Sequence, residues 1–323
     1  MRHIVIVGLL LAPGLIREAN AQNAGLRWSG LWYADYYYVL RSPDQALGDQ
    51  NGFTFRRLYL TADWSPHARL RGRVRLEADD RSFSTDGRLA PFLRDLYVQL
   101  TPWKGHWLTI GICPTPAFEI REAGWGYRSL ERTILDLNRI VSTRDFGLSL
   151  QGPITGEVSY WLMFGNNSGL RLEQDKFKRL YGGLSWQREN GPALNLYTDY
   201  GRYQGGRWFS TVAAYAGLHS RSGRMGLEAF AHRFSRPIGP GDRYQGISLF
   251  GVLPLGAHLR AVGRGDLLWR NREEERSRLY YALVGLDWSM APELNLIPNL
   301  YWSRQSTDPR GSWTARITLY WRF

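Results

Sequence analysis

Cysteine is nearly absent from this chain of 323 residues, with Cys113 the single thiol. One thiol cannot close an internal disulfide, so no disulfide framework is expected, and the ordinary role for such a residue is a wall position. Lysine is almost as scarce: Lys104, Lys176 and Lys178 stand alone, so the formal charge of +12 is carried by arginine. A guanidinium stays charged at physiological pH and offers a planar fork to phosphate or carboxylate. Beyond the amino terminus there is no run of eighteen apolar residues, which excludes transmembrane helices. Linkers rich in proline or serine, charge blocks and shifts of composition are missing too, so one domain is expected. No histidines and cysteines stand at metal-ligand spacing and no glycine-rich phosphate loop occurs, so neither metal nor cofactor is expected.

The amino terminus supplies the one apolar stretch. Arg2 and His3 precede an apolar core from Ile4 to Ile16, and Ala19, Asn20 and Ala21 form a small-residue cleavage site. That layout is a secretory signal, too short to span a bilayer. The reading is therefore a signal peptide over residues 1–21 and an exported domain over residues 22–323.

What the chain has in abundance is alternation. Residues 69–77 read RLRGRVRLE, with Arg69, Arg71, Arg73 and Arg75 separated by single small or apolar residues. On a helix these cations would scatter around the axis, whereas on a strand all four line one face. The pattern recurs at Leu58, Leu60, Ala62 and Trp64 against Arg57, Tyr59, Thr61 and Asp63, and from Trp313 to Phe323. Counted along the chain, about sixteen such segments appear, most long enough for the 9–11 residues of a tilted membrane strand.

The connections alternate as well. Tight turns such as SPHA, PITG, PLGA and MAPE come at every second junction, and longer polar segments such as RSPDQALGDQN and NNSGLRLEQDKF lie between. Short periplasmic turns and long extracellular loops mark an outer-membrane barrel. Trp64, Trp107, Trp186, Trp288, Trp321 and Phe323 sit by the short turns, and Trp208, Trp269, Trp302 and Trp313 by the long loops, as two interfacial girdles would require. Open edges cannot be left in lipid, so the sheet must close. The expected fold is all-β: a transmembrane antiparallel barrel of about sixteen strands in a bacterial outer membrane. Leu70, Val74 and Leu76 then face lipid, and the arginines face water.

The carboxyl-terminal ITLYWRF resembles the closing signature of bacterial outer-membrane barrels. More narrowly, FTFRRLYLTADWSP, RLRGRVRLEAD, FLRDLYVQLTP, HWLTIGICPTPAFEI and STRDFGLSLQG resemble the phosphate-selective porin O/P family over about residues 52–167. From residue 168 onward the resemblance is to barrels in general. It implies a sixteen-stranded trimeric barrel with an arginine ladder and a lysine-bearing constriction, selective for phosphate-type anions. The sequence departs from that pattern at GICPTP, where Pro114 stands and lysine is missing.

The longest connection is AFEIREAGWGYRSLERTILDLNRIV, residues 117–141. Within it SLERTILDL has helical spacing, with Leu130, Ile134 and Leu137 on one side and Ser129 in the capping position. The resemblance implies that this third loop folds inward and narrows the pore. Arg121, Arg128, Arg132 and Arg139, opposed by Glu119, Glu122 and Glu131, are then the constriction candidates. The lumen candidates are Arg57, Arg69, Arg71, Arg73 and Arg75. Cations spaced roughly 6.8 Å apart along a strand have overlapping fields at a screening length of about 8 Å, so an anion meets successive sites without a deep well. The alternative role is bracing, with the arginines paired to Asp63, Glu77, Asp79, Asp80 or Asp95.

The expectation is a passive, anion-preferring diffusion channel for phosphate or other small anions. A non-selective porin, one for organic anions or acidic sugars, and a non-conducting scaffold or adhesin stand as alternatives. Arg270, Arg272 and Arg276 are candidates for contact with lipopolysaccharide at the outer rim. An enzyme is not expected. His67, His106, His219 and His258 fall at short turns, and His232 near Glu228 reads as a wall hydrogen bond. A nucleic-acid partner is excluded by the signal and the lipid-facing strands.

Overall fold

The computed structural model describes residues 25–323 apart from 81, 85, 221, 236–241, 272–275 and 309. The expected signal peptide lies outside the described residues. Eight strands form the first half of the sheet: β1 (Gly25–Arg41), β2 (Asn51–His67), β3 (Leu70–Asp79), β4 (Phe92–Leu100), β5 (Trp107–Pro114), β6 (Arg144–Pro153), β7 (Val158–Gly165) and β8 (Arg179–Gln187). Eight more complete it: β9 (Pro192–Arg202), β10 (Trp208–Ser220), β11 (Gly223–Phe234), β12 (Asp242–Pro254), β13 (Leu259–Asn271), β14 (Arg276–Ala291), β15 (Leu294–Gln305) and β16 (Ser312–Arg322). Each pairs antiparallel with its neighbours in sequence, and β16 pairs with β1 to close the barrel. The seam ends in a reciprocal pair of backbone bonds, Gly30 N to Phe323 O at 2.7 Å and Phe323 N to Gly30 O at 3.1 Å. No edge is left to meet lipid.

Alternation decides which solvent each side chain meets. Leu60, Val74, Leu76, Leu96, Val98 and Ile110 are exposed on the outer wall, while Arg57, Tyr59, Thr61, Glu77, Asp95 and Thr109 are buried on the inner one. A one-residue slip of β3 would exchange the faces and send Arg73 and Arg75 into hydrocarbon. At the bilayer midplane that costs about 2–4 kcal/mol for each, so the register is strongly fixed.

Two of the five register shifts among the described strands bear on the arginines. Phe55 and Arg57 oppose Ala34 and Tyr33, leaving Arg56 as the extra residue on β2. Leu93 and Asp95 oppose Leu76 and Arg75, leaving Arg94 extra on β4. A bulge sets two residues against one and re-aims a side chain. Here it lets neighbours, Arg56 with Arg57 and Arg94 with Asp95, serve the lumen together.

Three sequence expectations need correction. Arg69 precedes β3 in the β2–β3 turn and is exposed there, so the strand-borne ladder begins at Arg71. Trp107 does not belong to the lipid girdle: on β5 it shares the inner parity of Thr109 and stacks under Arg71, 4.1 Å from guanidinium carbon to ring centroid. Arg270 likewise has inner parity and reaches Asn138 Oδ1 at 3.4 Å instead of the outer rim. Arg272 and the side chain of Arg276 lie outside the described residues.

Candidate functional site

The chain leaves the sheet at Pro114 and rejoins it at Arg144, so the long loop hangs from adjacent strands. Its base is zipped by Thr115, whose Oγ1 donates to Ser142 O at 2.7 Å and whose N donates to Thr143 O at 3.2 Å. Two short helices follow, α1 (Glu119–Trp125) and α2 (Ile134–Leu137). The helix expected over residues 129–137 is therefore only its last four residues, preceded by Thr133 rather than Ser129. The first turn of α1 carries Glu119 and Glu122, the sign its N-terminus favours. Gly126, at φ 67°, closes it in the left-handed conformation.

The loop crosses the lumen, and apolar burial fixes one side of it. Phe118, Ile134, Leu135 and Val141 pack with Tyr181, Tyr197, Ala213, Phe230 and Leu268, while Trp125, Tyr127 and Leu130 pack with Tyr215, Phe250, Val262, Tyr281 and Leu283. These partners come from β8 to β14, so that half of the inner wall is covered. Approach is closest at Gly124, where an added Cβ would stand 2.0 Å from Tyr215 Oη.

Polar latches hold the rest. Arg56 donates to Ser129 O at 2.8 Å and Leu130 O at 3.2 Å, and Arg316 donates to Leu130 O at 3.2 Å. Arg264 donates to Arg132 O, and the Tyr127 hydroxyl to Asp287 Oδ2 at 2.7 Å. Hydrogen bonds from charged groups contribute about 1.5–3 kcal/mol each. Arg56→Ala is accordingly expected to loosen the loop tip while the barrel stays closed. Planar-bilayer recordings check this as larger unitary conductance with added current noise.

On the other half, from β16 through β1 to β6, the charges fall into triads. Asp35 lies between Arg56 at 3.2 Å and Arg316 at 4.0 Å. Glu77 lies between Arg57 at 2.7 Å and Arg94, and Asp95 between Arg75 at 3.3 Å and Arg144. Each carboxylate is shared by two guanidiniums, so pairing leaves a positive surplus within the triads. The loop carries the inverse arrangement, one guanidinium, Arg128, between Glu122 and Asp136 at 2.6 Å. Burial raises the Asp136 carboxyl, but Arg128 and Arg132 outweigh it and hold it below the usual carboxylate range. A positive wall thus faces an acidic loop edge across a cavity of about 340 Å³ that Arg73, Arg144, Glu119 and Glu122 help to line.

The remaining candidates divide. Arg73 donates to Asp63 at 2.6 Å, and Arg71 rests on Trp107. Arg121 faces away from the passage, wholly buried and 3.3 Å from Glu228 on β11. Burial pushes its guanidinium below the ordinary value, with Glu228 opposing. Glu131 accepts from Arg132 N at 2.9 Å, and Arg139 is exposed with φ 54°. His232 meets Thr211 Oγ1 at 2.9 Å, so it and Glu228 have different partners.

Sequence reasoning missed Arg56, Arg94, Arg144 and Arg316, and a group on the short-turn side. There Arg224, Arg260 and Arg322 line a cavity of about 530 Å³ in which Asp287 is the single lining carboxylate. Inner parity near a short turn was their only signal.

No family model matches the chain, and no curated relative is similar to it in sequence. Its fold is shared with solved outer-membrane proteins. The anion-selective porin from Comamonas acidovorans has 14% identity and a TM-score of 0.69, over 93% of this chain and 100% of that one. OmpT of Vibrio cholerae has 7% identity and a TM-score of 0.68, over 92% and 97%. OmpF of Salmonella typhi, in complex with daunomycin, has 10% identity and a TM-score of 0.68, over 92% and 97%. Identities this low establish the fold alone: the general sixteen-stranded porin barrel, not the phosphate-selective porin O/P family in particular. A closed barrel of this kind with an apolar outer wall belongs in the bacterial outer membrane.

Proposed function

We propose that the chain is a passive diffusion channel of the outer membrane that prefers small anions. The observation that supports it is the wall of three triads, in which Asp35, Glu77 and Asp95 are each outnumbered two to one by arginines. These guanidiniums brace the barrel and still leave a positive potential along the passage. Brace and attractant are one arrangement. Because they are already engaged by carboxylates and carbonyls, they suit weak, successive contacts better than tight capture, so general small anions are favoured over phosphate alone. The anion-selective Comamonas porin is consistent with this.

Planar-bilayer recording under a potassium chloride gradient tests it. The expected reversal potential has the sign of chloride permeation; the cation sign would overturn the anion preference. Neutral replacement of Arg71 and Arg73 is expected to reduce that potential while heat-modifiable gel mobility shows an intact barrel. A non-conducting scaffold is the second reading, favoured by the loop's contacts with β2, β11, β14 and β16. Absence of conductance would install it. A homotrimer belongs to the same proposal, since OmpT of Vibrio cholerae has been solved in a trimer form, and migration of unheated protein on gels tests it.

A further inference from the structure

Between α1 and the short-turn ends of β5–β9 lies a cavity of about 460 Å³ whose chemistry differs from that of the charged passage. Trp107, Gln151 and Trp161 stand at one level on three adjacent strands, Trp107 opposite Gln151 and Gln151 opposite Trp161. Neighbouring strands are roughly 4.8 Å apart, so the two indoles flank the amide with about one sugar ring's width between them. The next strand has Gly183 at this level, and Pro116 of the loop closes over it, 3.3 Å from where a Cβ would stand, as the far wall of the slot.

Both rings are held in place. Trp161 Nε1 donates to Ser149 Oγ at 2.6 Å, and Arg71 covers one face of Trp107. Deeper in, Asn195 is only 3% exposed. Asn195 is part of the lining; its Nδ2 donates to Ser185 Oγ at 2.8 Å, while its buried Oδ1 has no protein partner. A buried carbonyl left without a donor is costly, so a turn of the amide toward the cavity that lets a ligand hydroxyl supply one is favoured.

The lining carries a single carboxylate, Glu119, and no cation; Arg71, the cation beside it, is engaged by the Trp107 ring. An anion would meet that charge and the electron-rich ring faces, and gains nothing here. A polyhydroxylated ring suits the surface: its C–H face lies on an indole, and its hydroxyls pair with Gln151, Ser185 and Asn195. We infer that this cavity is a subsite for neutral sugars or sugar alcohols. Their passage through it rests on the open channel proposed above; their binding does not.

Maltose is the probe. Added on the short-turn side during single-channel recording in potassium chloride, it is expected to reduce the current saturably, whereas a polyethylene glycol of similar mass is not. Loss of one stacked ring weakens such a contact roughly tenfold, so Trp161→Ala should raise the half-blocking concentration by about that factor and Trp161→Phe should restore most of the effect. Should Trp161→Ala fail to fold, Gln151→Leu keeps both rings and is expected to weaken the block several-fold. Equal block by the polyether, or block unchanged in these variants, overturns the subsite. If the protein does not conduct, the channel reading falls alone. Tryptophan fluorescence of the refolded barrel then decides: a saturable change with maltose supports the subsite, and no change overturns it.

Discussion

Replacing Glu77 by glutamine is expected to destabilise the barrel by about 3–5 kcal/mol, the usual cost of removing one member of a buried ionic group. Glu77 is 1% exposed, and its partners Arg57 and Arg94 are 3% and 6% exposed. The amide keeps the shape of the carboxylate and discards its charge, leaving two guanidiniums facing each other beside the Tyr59 ring. The wall then has to hold their repulsion by sheet hydrogen bonds and the bond from Arg94 to Thr143 Oγ1. Urea unfolding, followed by heat-modifiable gel mobility, measures the loss. The double variant Glu77→Gln with Arg57→Gln removes the surplus cation as well and should recover part of it, giving a coupling energy between the two sites. A loss below about 1 kcal/mol in the single variant would mean that the triad is hydrated and that bracing is not its work.

The same triad shows where sequence reading succeeds and where it stops. Period two is imposed on every strand by the two solvents, so the strand count, the closed topology and the inner placement of Arg57, Arg73 and Arg75 are legible at Leu58–Trp64 and Leu70–Leu76. A bulge adds one residue without leaving a pattern of its own. Strict alternation therefore assigned Arg57 inward and gave its neighbour Arg56 no role, though Arg56 latches the loop. The loop itself is governed by tertiary packing. Residues 129–137 have helical spacing, yet Leu130 and Ile134 are drawn into different clusters against the wall, and only α2 survives as helix. Trp107 illustrates a third limit. Proximity to a turn suggested the lipid interface, but parity with Thr109 decides the side, and parity places the ring in the lumen.

The short-turn vestibule was illegible for a further reason: Arg224, Arg260 and Arg322 belong to β11, β13 and β16 and meet only because the barrel closes and the loop brings Tyr127 beneath them. Arg224 lies 5.2 Å over the Tyr127 ring, and Arg322 donates to Pro292 O at 2.8 Å. Reversing two of these charges, Arg224→Glu with Arg322→Glu, is expected to move ion selectivity by about an order of magnitude. At about 8 Å in water a unit charge contributes roughly 0.5 kcal/mol, which screening over a similar length cuts to roughly 0.2 kcal/mol. Two reversals change four units, or about 0.8 kcal/mol, which makes anions about fourfold rarer and cations about fourfold commoner in the vestibule. Reversal potentials in dilute potassium chloride should therefore shift strongly toward the cation side, and the shift should shrink as salt rises. The neutral pair Arg224→Gln with Arg322→Gln should give half the free-energy change. That proportionality separates a field effect from displacement of the loop, which would alter conductance without tracking charge. If reversal and neutralisation leave the potential where it was, the vestibule does not select ions, and the anion preference has to come from the wall triads alone.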